Sequence, residues 1–217
     1  MPLMGFSEFD RRPILVAIAG PNGAGKTTFF HAHLASAGLR YVNADVLATE
    51  LGVKPYEAAR LADALKQALV GRGESFVFET VFSDPVGDKV AFLAEAARCG
   101  HVVVLCYIGL SGPDQSAERV AMRVSQGGHD VPDDKLRSRF SRTIANLQAA
   151  IARLPHVLIY DNSDLNVPYR QVAVFDHGQL RHLQEPIPGW LRPVLPRGAT
   201  GGHSELGGSG GHSELPS

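Results

Sequence analysis

Gly20, Gly25, Lys26 and Thr27 stand at the spacing G-x-x-x-x-G-K-[ST], within Gly20-Pro21-Asn22-Gly23-Ala24-Gly25-Lys26-Thr27-Thr28. Each residue type has a task in holding a phosphate chain. Glycines let successive backbone N–H groups turn inward, and a helix start adds the positive end of its dipole. The Lys26 ammonium can reach β- and γ-phosphates, and the Thr27 hydroxyl can ligate the Mg2+ that bridges them. The pattern becomes a mechanism only between a strand and a helix. Residues 14–19 are an apolar, β-branched run of strand length, and residues 29–35 read as helix. The stretch implies a bound nucleoside triphosphate, with ATP and Mg2+ as cofactors.

Phosphoryl transfer also needs a charge clamp and a way to position the acceptor. Asp45 closes a second strand and should face the γ-phosphate. It is a candidate base for an acceptor hydroxyl, a Mg2+ ligand through water, or a helix N-cap before Val46-Leu47. Glu79 ends the apolar run Phe76-Val77-Phe78, where it can receive acceptor hydroxyls, back the metal, or pair with an arginine. Thr80 beside it suits a strand in any case. Arg119 and Arg123 lie four apart, Arg139 and Arg142 three apart, and Arg137 sits nearby. With Gly127-Gly128 between the two helices, these arginines read either as a lid carrying cations to the phosphoryl group or as solvated basic faces. His129 touches substrate or caps the next helix, and Asp161-Asn162 borders the adenine pocket or makes a turn. The fourth strand ends in Gly109-Leu110 without a carboxylate, which argues against a motor or switch ATPase.

The elements that must carry these groups alternate. Strands are expected at 14–19, 39–43, 74–80, 101–109 and 156–161. Helices are expected at 25–36, 46–51, 55–71, from an Asp84-Pro85 start to Cys99, at 113–126 and at 133–154. Residues 172–183 read as a hairpin at the sheet's edge or on its surface. This alternation gives a parallel α/β sheet with right-handed crossovers and a site at the strands' C-terminal ends. The phosphate loop, Asp45, Glu79-Thr80 and Asp161 all fall there.

The bulk properties agree. With 217 residues, 44% hydrophobic and 20% charged, the chain suits one globular domain with a small appendage. A net charge of −1 gives no global field for nucleic acid. Cys99 and Cys106 read as packing residues rather than a disulfide, which fits a reducing compartment. No apolar run approaches the ~20 residues that span a bilayer, and residues 1–12 lack a secretory pattern, so a cytoplasmic protein is expected. The expected organisation is a leader over 1–12, a catalytic domain over 13–192 and a tail over 193–217. In that tail Gly-Gly-His-Ser-Glu-Leu occurs twice, at 201–206 and 210–215, and reads as a linker or an appended tag.

The phosphate loop, Val42-Asn43-Ala44-Asp45, Phe78-Glu79-Thr80, and Gly127-Gly128-His129-Asp130-Val131-Pro132 ahead of Arg137-Ser138-Arg139-Phe140 together resemble the compact branch of the zeta-toxin family. The resemblance covers roughly 13–165. It implies a P-loop kinase-like three-layer sandwich with a five-stranded, mostly parallel sheet, a helical lid and a C-terminal β-hairpin. It implies ATP-dependent phosphorylation of a sugar-nucleotide hydroxyl, as on UDP-N-acetylglucosamine, and a possible antitoxin partner. By the same resemblance Asp45 matches the catalytic base, and Lys26 and Thr27 match the phosphate and Mg2+ residues. Glu79 matches an acidic substrate contact, and Arg123 and Arg139 match the lid arginines. Arg119 joins the ATP set, and Asn43, Thr80, His129 and Arg137 join Glu79 on the acceptor side. Glu79-Thr80 departs from the family's wider Glu-x-Thr spacing, and the larger toxins' substrate region has no counterpart here. Two other readings are a nucleoside, nucleotide or polynucleotide kinase, and an NTP-binding regulatory module with little catalysis.

Overall fold

The computed structural model describes residues 10–125 and 132–199. Its centre is β1 (Ile14–Ala19), buried over its whole length. β3 (Phe76–Thr80) and β4 (Val102–Gly109) pair with it in parallel on either side. Outside them lie β2 (Arg40–Val42) and β5 (His156–Asp161), also parallel. β6 (Arg170–Asp176) and β7 (Gln179–Leu183) follow antiparallel, giving the order β2-β3-β1-β4-β5-β6-β7. Among the described residues the sheet therefore has seven strands, where five were expected with a hairpin at the sheet's edge or on its surface. The reason is burial. Val172, Ala173, Val174 and Phe175 carry too much apolar surface to lie on the outside, so β6 continues the sheet. β7, with Gln179, Arg181 and His182 exposed, forms the edge.

Among the described residues six α-helices cover the faces: α1 (Lys26–Phe29), α2 (Ala44–Leu51), α3 (Pro55–Gly71), α4 (Asp88–Arg98), α5 (Pro113–Val124) and α6 (Asp133–Arg153). α1 is only the first turn of the expected 25–36 helix, which continues as a wider turn over Phe30–Leu34 and a tight one over Ala35–Ala37. On one face Leu15, Phe78, Leu105 and Tyr107 pack with Leu69 of α3, Leu93 of α4 and Leu147 of α6. On the other, Val16, Ile18, Val104 and Cys106 pack with Phe29, Phe30 and Leu34. The result is three layers around one sheet. Among the described residues no helix is long and apolar enough to cross a membrane.

Three boundaries and one cysteine differ from the sequence reading. α2 begins at Ala44 behind an Asn43 N-cap, so Asp45 sits in a first helical turn and is not itself the cap. α4 begins at Asp88, because Asn146 takes the Asp84 carbonyl and carboxylate and Gly87 turns the chain into the helix. The packed chain runs past residue 192, since Val194 and Leu195 enter the core beside Trp190 and Leu191. Both thiols are free; Cys106 is buried, but Cys99 is exposed at the end of α4 and is not a packing residue. Residues 1–9, His129 with its Gly-Gly loop, and the repeat at 201–217 lie outside the described residues.

Candidate active site

The turn from β1 into α1 is built by close approach. Gly20, at φ +148, passes the Ile108 carbonyl so closely that a Cβ would lie 2.2 Å from its oxygen. Gly25, at φ +85, opens α1, and a Cβ there would meet the Tyr169 hydroxyl at 2.6 Å. Only glycine satisfies both conditions. Protein donors then hold the loop from behind. Ser116 Oγ donates to the Asn22 carbonyl (2.7 Å), Asn162 Nδ2 to that of Ala24 (2.9 Å), and the Tyr169 hydroxyl to that of Gly25 (2.9 Å). Each such bond is worth about 1 kcal/mol. With these carbonyls turned outward, the loop keeps its N–H face for the cleft.

The cleft encloses about 520 Å³ and is lined on its donor side by Asn22, Gly23, Gly25, Lys26, Thr27 and Thr28. Lys26 Nζ donates to the carbonyls of Gly20 (3.1 Å) and Pro21 (3.0 Å). Burial lowers its ammonium from the ordinary 10.5 to about 8, with Arg123 adding to the fall and Glu79 and Asp45 opposing it. A dense negative charge beside Lys26 would reverse that shift. The donor set, a lysine and a hydroxyl at a helix start under inward amides, fits the triphosphate of ATP with Mg2+ on Thr27.

The rest of the lining is Asn43, Ala44, Asp45, Glu79, Thr80 and Val81, together with two arginines of α5. Asn43 Oδ1 accepts from the backbone N–H of Asp45 (2.8 Å) and Val46 (3.3 Å), a cap worth about 1 kcal/mol that fixes the first turn of α2, where Asp45 sits. Asn43 Nδ2 donates to the Tyr41 hydroxyl at 2.8 Å, so this buried amide is spent inside the protein. The Tyr41 hydroxyl donates to Glu79 Oε1, and Thr27 Oγ1 donates to Glu79 Oε2 at 3.1 Å. Burial, then the Glu79 hydrogen bond, pushes the Tyr41 phenol well above its ordinary value, so it keeps its proton. Glu79 thus backs Thr27 and makes no ion pair with an arginine among the described residues. It also stands opposite Ile18 in the β1–β3 register. The strand beside the phosphate loop therefore does end in a carboxylate, on β3 rather than β4. Thr80 Oγ1 accepts from the Phe82 N–H (3.1 Å) and helps hold buried Phe82 at φ 62.

Of the arginines, the structure brings two to the cleft, Arg119 and Arg123 on α5. Arg119 Nη2 donates to the carbonyl of Asn162 at 2.7 Å, tying α5 to the segment after β5. Arg137 is instead ion-paired with Asp114 at 2.6 Å on the exposed surface. Arg137 and Arg139 are not among the lining residues. Asp161 is not a cleft acid either: it is buried and accepts from Trp190 Nε1 (2.9 Å) and Ser163 Oγ (2.7 Å). Asn162 is the residue of that pair that serves the site, through the Ala24 carbonyl. Sequence reasoning missed Ser116, Tyr169 and Tyr41. Only Tyr41 left a trace, two residues before Asn43, and its ring stacks on Phe30 at 3.8 Å and 7°.

A profile of the AAA domain family (AAA_33) matches residues 15–148. Among solved structures, a chain of the AvrRxo1-ORF1:AvrRxo1-ORF2 complex with sulphate ions superposes with a TM-score of 0.63 at 21% identity, over 82% of this chain and 62% of that one. The complex solved with ATP gives 0.63 at 22%, over 81% and 62%. A chain from the PezAT chromosomal toxin–antitoxin system of Streptococcus pneumoniae gives 0.52 at 18%, over 70% and 68%. This chain spans about three fifths of the length of the AvrRxo1-complex chains it matches. At these identities the likeness is one of fold. No curated protein sequence matches.

Proposed function

The chain belongs to the AAA_33 family of AAA domains and has the zeta-toxin-like P-loop kinase fold, and from that premise we propose that it moves the γ-phosphate of ATP to a hydroxyl of a small molecule. One observation carries this reading: Lys26, Thr27 and Asp45 line a single cleft of about 520 Å³. Asp45 orients the acceptor hydroxyl and takes its proton as the new O–P bond forms and the bond to ADP breaks. Lys26 balances charge on the phosphate chain, and Arg123 clamps the transferring group. Arg139, outside the cleft lining, enters as a second clamp to be tested beside Arg123. Thr27 would hold Mg2+, which would supply neutralisation of charge on the phosphate chain. Glu79 and Thr80 border the acceptor, with Asn43 holding the wall they share.

The acceptor proposed is a sugar nucleotide, UDP-N-acetylglucosamine, on the resemblance to zeta toxins. A protein partner of antitoxin type belongs to the same proposal, supported by the pairing named for the pneumococcal neighbour. Mass spectrometry of a reaction with ATP, Mg2+ and UDP-N-acetylglucosamine tests the acceptor. A sugar nucleotide heavier by one phosphate, absent with Asp45→Asn, supports it. A protein that binds ATP and leaves the sugar nucleotide unchanged removes this acceptor.

A further inference from the structure

The hydrogen bonds around Glu79 run in one direction, and the donor and acceptor inventory fixes that direction atom by atom. Two backbone N–H groups, of Asp45 and Val46, point at one atom of the Asn43 amide, which must be its oxygen. Its NH2 therefore faces the Tyr41 hydroxyl at 2.8 Å and can only donate. The Tyr41 oxygen accepts that bond; Thr27 also lies within reach of it, and its single proton goes to Glu79 Oε1, which can only accept. A carboxylate has no proton to return. Its second oxygen, Oε2, receives the proton of the Thr27 hydroxyl at 3.1 Å. With that proton drawn behind, the lone pairs of Thr27 Oγ1 are left to the cleft, where the side chain is exposed.

We infer that Tyr41 is a positioning residue for cation ligation, acting through Glu79 to hold the Thr27 hydroxyl with its lone pairs toward the metal. The inference rests on reading the cleft as an ATP and Mg2+ site. A group that orients a metal ligand from behind typically changes metal affinity by about ten- to a hundredfold when it is lost. The same chain reaches the acceptor wall, because the Asn43 amide that starts it also caps α2, whose first turn holds Asp45. Metal ligation and acceptor positioning therefore share one half-buried support. Tyr41 is well placed for this, since its ring is fixed by stacking on Phe30.

Tyr41→Phe keeps the ring and deletes the hydroxyl, so the stack and the fold should survive. The experiment is calorimetric ATP binding by the full chain, with and without Mg2+, across a Mg2+ titration. Thr27→Val, which removes the ligand itself, serves as reference. Tyr41→Phe should bind metal-free ATP as the unaltered protein does, within about twofold, and need about tenfold more Mg2+ for half of the metal-dependent gain. Asn43→Asp tests direction separately, since aspartate still caps α2 yet offers Tyr41 an acceptor in place of a donor. It should reproduce the Tyr41→Phe shift. A Mg2+ requirement unchanged in both variants, while Thr27→Val loses it, overturns the inference and leaves the ATP site standing. If the unaltered protein binds no ATP, the reading beneath the inference is the one refuted.

Discussion

Burial holds the Lys26 ammonium near 8, so at that pH half of the molecules carry it neutral. A triphosphate laid beside Lys26 brings a dense negative charge that favours the protonated form. ATP binding should therefore draw protons onto Lys26, counted apart from any that the γ-phosphate itself releases. The uptake should be about 0.1 proton per site near pH 7, about 0.5 near pH 8 and about 0.9 near pH 9. Calorimetry in buffers of differing ionisation enthalpy, without Mg2+, reads the number directly. Lys26→Arg is the control, because a guanidinium stays charged throughout, so its proton balance is that of the γ-phosphate and is subtracted. An uptake flat between pH 7 and 9, or the same in Lys26→Arg, would refute the claim that burial depresses this lysine at the phosphate site. The shift also has a sign for stability. The folded-state value lies below the unfolded 10.5, so the unfolded chain binds more protons between about 8 and 10.5. The contribution of Lys26 to stability is therefore smallest below 8 and rises with pH across that window.

Three further outcomes follow from contacts around the cleft. Tyr169→Phe removes the donor to the Gly25 carbonyl, a loss of about 0.5–1.5 kcal/mol in loop preorganisation, so ATP affinity should fall by about two- to tenfold in a binding titration. Asn146→Ala strips buried partners from the carbonyls of Phe82 (2.9 Å) and Asp84 (3.0 Å). Urea unfolding should show a loss of about 2–4 kcal/mol; a loss below about 0.5 would mean that water replaces the amide without cost. Gly109→Ala would put a Cβ 2.1 Å from the Trp190 ring, and should lower the melting temperature through about 1–3 kcal/mol of overpacking.

The phosphate loop was legible because its chemistry is backbone chemistry: glycines, a lysine and a hydroxyl must stand at fixed spacing between an apolar strand and a helix. Asp45 was legible as a carboxylate at the end of an expected strand, but not as a residue in the first turn of α2. That depended on Asn43 accepting two N–H bonds. The carboxylate beside the loop was sought on β4 because chain order does not reveal strand order, and β1's other neighbour is β3. Asp161 shows the same limit. Its position at a strand end suited a site, but Trp190, 29 residues later, folds back and takes its carboxylate. Tyr169 and Ser116 left no local signal, since each acts through a hydroxyl on a carbonyl far away in the chain. Arg137 and Arg139 lie two apart, on different faces of α6, with no local clue to their reach, and Arg137 finds Asp114 instead.

The most direct test uses ATP labelled in the γ-phosphate with heavy oxygen, Mg2+ and a small-molecule extract of bacterial cells, read by mass spectrometry. The labelled phosphate should appear on a hydroxyl compound with the unaltered protein. It should be absent with Asp45→Asn, which still binds ATP, and with Lys26→Ala. Label found only in inorganic phosphate, or carried to the same compound by Asp45→Asn, would contradict a kinase that uses Asp45 as its base.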